Sequence, residues 1–300
     1  MTAVLPRRIT LGTAQFGDPY GATNVRRHLA DAEVANIVSA ALESGITWFD
    51  TAIGYGNAQS RLGQAISGVP GIRVVSKLAS VAAIEPAVVG ARVRQLVEQC
   101  LEEVRQPQLA ALLLHRTTDL DTASGREAIA TMVELRDEGL IGELGASVYD
   151  RSEIEMVNQS APELSRIQVP GSVLDQRLLA DATWRRPGTK VDVRSAFLQG
   201  VLLASDQQLA SGLPGLVAPV ARVRCAAEDA GLPLTDFLLG CVLRHDWVNS
   251  IVVGVTSLAE LQQLVDASTF VDHAIDYSEL AIDDGQLINP ANWPPGLQLL

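Results

Sequence analysis

The chain has 300 residues, of which 47% are hydrophobic and 19% charged, and it carries a net charge of −12. That composition is globular and excludes a disordered or fibrous chain, while the acidic balance excludes a nucleic-acid partner, which needs a basic face. No apolar run is long enough to span a bilayer, and none follows Arg7 and Arg8, so neither a membrane span nor a signal peptide is expected and the cytoplasm is the default location. Cys100, Cys225 and Cys241 lack metal-ligand spacing and read as buried thiols in a reducing compartment, so no metal is expected.

Short apolar segments alternate with amphipathic ones along the chain. The first strand is predicted at 9–12. A helix follows at 34–44, with Val34, Ile37, Val38, Ala41 and Leu42 on one face and Gly45 as its stop. Strands at 47–49 and 73–75 precede a helix at 88–104, whose apolar face holds Val89, Val93, Leu96, Val97, Leu101 and Val104. After a strand at 110–114, a helix at 127–138 buries Ile129, Met132, Val133 and Leu135 and stops at Gly139. Strands at 142–145, 166–169, 191–194 and 251–253 complete the set, with loop-like insertions at 180–190 and 204–219. One more helix is expected in the tail beyond residues 272–277, before an irregular end.

Eight strands, each followed by a helix, describe an α/β chain closed into a (β/α)8 TIM barrel, a single domain over residues 1–300. The rival doubly wound sheet would want a G-x-G-x-x-G turn after the first strand, and Gly12-Thr13-Ala14-Gln15-Phe16-Gly17 does not have that spacing. In a barrel, chemistry gathers at the C-terminal strand ends. There the second strand leads to Asp50 and then Tyr55, the third to Lys77 and the fourth to His115. Taken singly, each has a plain structural role: a turn cap, a loop aromatic, a solvated strand end, a packed imidazole. Together on adjacent strands they form a set. An Asp50–Lys77 pair would hold the lysine charged, and a charged Lys77 would lower the pKa of Tyr55 from its usual value of about 10. Tyr55 then serves as a proton donor, and His115 orients a substrate oxygen.

These residues resemble those of the aldo-keto reductase family. The resemblance runs over nearly the whole chain, through the segments 11–17, 49–56, 75–77, 114–116, 142–147 and 253–257, and Asp50-Thr51-Ala52-x-x-Tyr55-Gly56 is its most specific element. It implies a catalytic tetrad of Tyr55, Lys77, Asp50 and His115, and a nicotinamide cofactor laid across the barrel mouth. It also implies cofactor contacts from Gly12, Thr13, Asp50, Ser147, Gln168 and Ser195, from Phe197, Leu198, Gln199 and Gly200, and from Gly254, Thr256, Ser257 and Glu260. The helix that opens after Thr256 and Ser257 would present its N-terminus to a cofactor phosphate.

The chain departs from the family pattern at several points. Val148 stands where an Asn usually helps hold the carboxamide. Ser195 is aligned with an aromatic that stacks on the nicotinamide, with Phe197 nearby to compensate. Glu260 stands where NADPH-selective members use Arg, and Leu264 replaces a nearby Asn. A carboxylate repels a ribose 2′-phosphate but accepts a hydrogen bond from a free 2′-hydroxyl, so the family's usual NADPH competes with NADH here. The segments 168–177 and 193–200 resemble a bacterial branch acting on sugars or specialised metabolites.

The resemblance thus implies an NAD(P)H-dependent oxidoreductase that reduces a small-molecule carbonyl, with a C=N bond as a variant substrate for the same parts. The alternatives are a nicotinamide-binding regulatory subunit and a barrel lyase or isomerase. Substrate-side candidates are Trp48, Tyr20, Arg26, Arg27, His28, Trp184 and Arg185. Oligomeric state is left open.

Overall fold

The computed structural model describes residues 8–17, 20–24, 28–267, 269, 271–294 and 296–299. Residues 1–7, including Arg7, and the substrate-side candidates Arg26 and Arg27 lie outside the described residues. The chain begins with β1 (Ile9–Gly12), α1 (Ala14–Gly17), α2 (Asp31–Glu43), β2 (Trp48–Asp50), α3 (Ala58–Ala65) and β3 (Arg73–Leu78). It continues with α4 (Pro86–Val104), β4 (Leu109–Leu114), α5 (Ala123–Asp137), β5 (Ile141–Ser147), α6 (Arg151–Ser160), β6 (Arg166–Pro170) and β7 (Lys190–Arg194). The last third holds α7 (Asp206–Gly212), α8 (Val217–Asp229), α9 (Leu234–Leu243), β8 (Ser250–Gly254), α10 (Leu258–Ala267) and α11 (Gly285–Ile288).

The eight strands pair in chain order, all parallel, and β1 also pairs with β8, so the sheet closes on itself as a (β/α)8 barrel. One connection departs from the expected alternation. No helix separates β6 from β7, and residues 171–189 cross as turns. The stretch 204–219, expected as a loop, instead holds α7 and the start of α8. Its helix start is written in polar chemistry: Ser205 accepts from the Gln208 N–H and Gln208 reaches back to the Ser205 N–H. The three helices expected from periodicity each begin earlier than their apolar residues do. In α5, Thr122 caps the first turn by accepting from the Gly125 N–H at 2.9 Å. Cys100 and Cys241 are buried as expected, but Cys225 is exposed on α8. No helix among the described residues is long and apolar enough to cross a membrane.

The main core lies between the strands and the outer helices. A second apolar cluster packs Val173, Leu174, Leu198 and Leu202 beneath α7, α8, α9 and the tail residues Tyr277 and Trp293. Inside the barrel the apolar layer is small: Val75, Ala111 and Leu113, with Trp48 against them. Polar groups fill the rest. Arg166 donates to Asp192 at 2.6 Å and to Glu143 at 2.8 Å, and its guanidinium stands 4.9 Å from the centre of the Trp48 ring. Asp192 also accepts from Ser250 at 2.8 Å, and Ser250 from Thr10 at 3.0 Å. This places Trp48 in the barrel interior, beneath the mouth. Trp184 and Arg185 also pack elsewhere, against Trp247 in the segment that enters β8.

The barrel's polar layer yields a stability test. Arg166 and Asp192 are 4% and 2% exposed. Arg166→Met strands the Asp192 carboxylate in a dry interior, and urea unfolding is expected to show a loss of about 3–5 kcal/mol. A loss below about 1 kcal/mol would mean that Asp192 is satisfied without its partner.

Candidate active site

Asp50 closes β2, Lys77 lies in β3 and Gln168 in β6, and their side chains meet below the mouth of the barrel. Lys77 donates to one oxygen of Asp50 and, at 3.0 Å, to the Thr51 carbonyl. Gln168 donates through Nε2 to the second Asp50 oxygen at 2.8 Å. Asp50 is 4% exposed and Lys77 2%. A buried lysine and carboxylate persist only with such partners, because each charge alone would be strongly destabilising out of water. Gln168 is expected to contact a cofactor, and its amide nitrogen is engaged by Asp50.

Tyr55 follows in the turn that leads from β2 to α3. Its N–H donates to the Ala52 carbonyl at 3.1 Å and its own carbonyl accepts from Ala58 at 3.0 Å. Gly17 packs against this turn so closely that a Cβ there would collide with the Tyr55 carbonyl. The Lys77 ammonium stands 5.5 Å from the centre of the Tyr55 ring. His115, the first residue beyond β4, meets the same ring edge-on at 6.2 Å and is tied to β3 by its N–H on the Leu78 carbonyl at 3.1 Å. Asp50, Tyr55, Lys77 and His115 thus share one end of the barrel.

The electrostatics differ from the sequence-based expectation in one respect. The pKa of Tyr55 lies above the ordinary value of 10, first because of burial and then because of the Asp50 charge, with the Arg194 guanidinium opposing. Burial, followed by the charges of Lys77 and Arg194, pulls the His115 imidazole down to about 4, so the ring is neutral at pH 7.

A cleft of about 240 Å³ runs from Asp50 and Tyr55 across the mouth to α10, with Lys77 and His115 behind its wall rather than on it. Gly12, Thr13, Asp50, Gln168, Ser195, Phe197, Gln199, Gly200, Gly254, Thr256 and Glu260 all line it together with Tyr55. Three residues expected there are not on its wall. Ser147 is buried at the end of β5. Leu198 is 1% exposed and belongs to the second apolar cluster, because the turn that carries it directs its side chain away from the cleft. Ser257 caps α10 by accepting from the Glu260 N–H at 3.2 Å. Thr256 donates to Glu260 twice, through its N–H at 2.6 Å and its hydroxyl at 2.9 Å. The donors expected to meet a cofactor phosphate are thus already turned to a carboxylate.

Tyr20 also lines the cleft, its ring 6.5 Å from Tyr55, whereas His28 is exposed and away from it. Several lining residues fall outside the expected set, among them Gln15 and Arg194. The Gln15 Oε1 is buried with no hydrogen-bond partner. Arg194 occupies a C-terminal strand end, the same signal that marks Asp50. Gly200, at φ +90°, lies so close to Thr23 that a Cβ would collide with the threonine hydroxyl, bringing the 20–24 segment against the turn after β7.

Comparison with known proteins agrees with this geometry. The family model described as Aldo/keto reductase family matches residues 8–282. An aldo/keto reductase from Klebsiella pneumoniae, solved in complex with NADP and acetate, superimposes with a TM-score of 0.68 at 21% identity, covering 98% of this chain and 94% of that one. The holo form of an aldo-keto reductase from Bacillus halodurans gives a TM-score of 0.69 at 20% identity, with 92% of each chain covered. No curated protein matches the chain significantly. The chain belongs to the aldo/keto reductase family and is an NAD(P)H-dependent oxidoreductase.

Proposed function

We propose that the protein reduces a carbonyl compound to an alcohol, with Tyr55 as proton donor and the cofactor extended along the cleft towards α10. The observation that carries this reading is the meeting of Tyr55, Lys77, Asp50 and His115 at one end of the barrel, with Tyr55 and Asp50 on the wall of that cleft. The cleft walls suit a nicotinamide dinucleotide. Gln15 offers an unpaired buried oxygen to a cofactor hydroxyl or amide N–H. Gly12, Gly200 and Gly254 line the cleft, and the missing side chains of Gly200 and Gly254 let Thr23 and Gln15 pack against them. Ser195, Gln199 and Thr256 supply polar groups along its length. The NADP-bound Klebsiella relative supports the same class of cofactor. That cofactor supplies hydride when bound.

The proton chemistry follows from the site's own residues. Negative charge develops on the carbonyl oxygen as hydride arrives, and an alkoxide is a far stronger base than a phenolate. A phenol held above its ordinary pKa therefore remains a competent acid and stays protonated at pH 7. Neutral His115 donates a hydrogen bond to the same oxygen and holds it towards Tyr55. Lys77, held in place by Asp50 and the Thr51 carbonyl, stands 5.5 Å from the Tyr55 ring, where its ammonium stabilises the phenolate left behind.

The cofactor we propose is NADH in preference to NADPH. Glu260 presents a carboxylate at the cleft end and engages both Thr256 donors. A ribose 2′-phosphate there would meet like charge and lack those donors, whereas a 2′-hydroxyl would find an acceptor.

Tyr55→Phe is expected to lower kcat about 10²- to 10⁴-fold in steady-state reduction of an aldehyde. Equal turnover by the variant would remove Tyr55 from the proton-transfer role. For the parent, kcat/KM is expected to be flat between about pH 5 and pH 9, since His115 gains its proton only towards pH 4 and Tyr55 loses its own above 10. An alkaline limb centred near neutrality would contradict that assignment. In fluorescence titrations, NADH is expected to bind more tightly than NADPH, and Glu260→Arg to shift the ratio of the two affinities towards NADPH by about tenfold or more. An unmoved ratio would mean that the 2′ position lies elsewhere.

A further inference from the structure

The protein is strongly acidic, yet its mouth around Tyr55 and His115 has the opposite sign. Lys77 is offset there by Asp50, which leaves Arg194 and Arg116. Among the described residues neither guanidinium has an ion-pair partner. Arg194, half-buried at the end of β7, lines the cleft beside Asp50 and Tyr55. Its Nη2 donates to the Val148 carbonyl at 3.0 Å and its Nη1 to the Ser195 hydroxyl at 3.3 Å. Its plane is seated over the Tyr149 ring, 4.4 Å from the ring centre. All these partners are neutral, so the fork is held in place while its charge is left uncompensated. Arg116 directly follows His115 and is exposed. Both charges reach the His115 imidazole, and that of Arg194 also reaches the Tyr55 hydroxyl. The carboxylate on the far cleft wall, Glu260, is turned to Thr256 and does not serve them.

A fixed guanidinium beside a proton donor, partly withdrawn from water and without a counter-ion, is a site that awaits an anion. We propose that Arg194, assisted by Arg116, selects a substrate that carries a carboxylate close to the carbonyl being reduced. The planar fork of Arg194 is shaped for a carboxylate and fixes it, while exposed Arg116 contributes attraction rather than a fixed contact. This inference rests on the reductase reading above and names its substrate class.

The test compares 2-, 3- and 4-carboxybenzaldehyde with the three nitrobenzaldehydes, using the full chain at saturating NADH or NADPH. The nitro group has the planar shape of a carboxylate without its net charge. It also activates the aldehyde more strongly, so chemistry alone favours the nitro series. At least one carboxylate isomer is expected to exceed its nitro partner in kcat/KM. Arg194→Gln is expected to lower that ratio about tenfold to a hundredfold, mainly through KM. Arg194→Lys should recover part of it, since the charge returns without the fork. Arg116→Gln should lower it less, in a manner that fades with added salt. The proposal is overturned if the nitro partner wins at every ring position and Arg194→Gln leaves the ratio unmoved. It is equally overturned if Arg194→Gln weakens cofactor binding and slows both series alike, which would assign Arg194 to the cofactor. If none of the six aldehydes is reduced with either cofactor, the reductase reading itself fails and this inference falls with it.

Discussion

The carboxylate of Asp50 is the point on which the mouth of the barrel is assembled. It closes β2, accepts from Lys77 of β3 and, at 2.8 Å, from Gln168 of β6, across the width of the barrel. Each of these groups would be unfavourable in a dry interior alone, and together they satisfy one another. The arrangement fixes more than stability. It settles where the Lys77 ammonium stands beneath the Tyr55 ring. Burial and then the Asp50 charge leave Tyr55 as a firm phenol rather than an easily ionised one, which suits a group that must hold its proton until an alkoxide calls for it.

The same logic extends down the barrel. Arg166, Asp192, Ser250 and Thr10 form a second connected polar layer, with Glu143 at its edge. Among the described residues, Val75, Ala111 and Leu113 make a small apolar layer inside, with Trp48 beside them. A barrel interior packed with aliphatic side chains would tolerate many arrangements of similar volume, whereas a hydrogen-bonded layer accepts few. The rigid floor keeps the strand ends in register, and the mouth inherits its geometry from that floor.

Much of this was legible in the sequence because barrel strands are short apolar runs with polar residues at one end. All eight strands, the closed architecture and the four residues of the Asp50 set could be read from that pattern and from the family resemblance. What could not be read depended on direction. Trp48 and Trp184 look like loop or mouth aromatics in a linear chain, yet one faces the barrel interior and the other packs on Trp247. Leu198 lies in the expected cofactor loop but turns into the second apolar cluster. Helix starts were missed where capping, as at Ser205 and Thr122, rather than apolar periodicity defines them. The ionisation of Tyr55 differs from the expectation because the Asp50–Lys77 pair was weighed without burial, which raises the phenol's pKa first and which a linear sequence does not display.

The cleft is electrically asymmetric, and that asymmetry gives it a direction. Glu260 sits at the α10 end and the two uncompensated arginines at the Tyr55 end. Glu260 is exposed and thus screened by solvent, so it acts over a short range, on whatever approaches the Thr256 turn. Arg194 is partly withdrawn from water and pinned against Tyr149, so its field is felt more strongly at the reacting oxygen. A guanidinium in that position favours negative charge on the oxygen as hydride arrives, in addition to any anion it binds. The residue that selects the substrate would then also ease the charge development in the reaction, which places recognition and chemistry on one side chain at the end of β7.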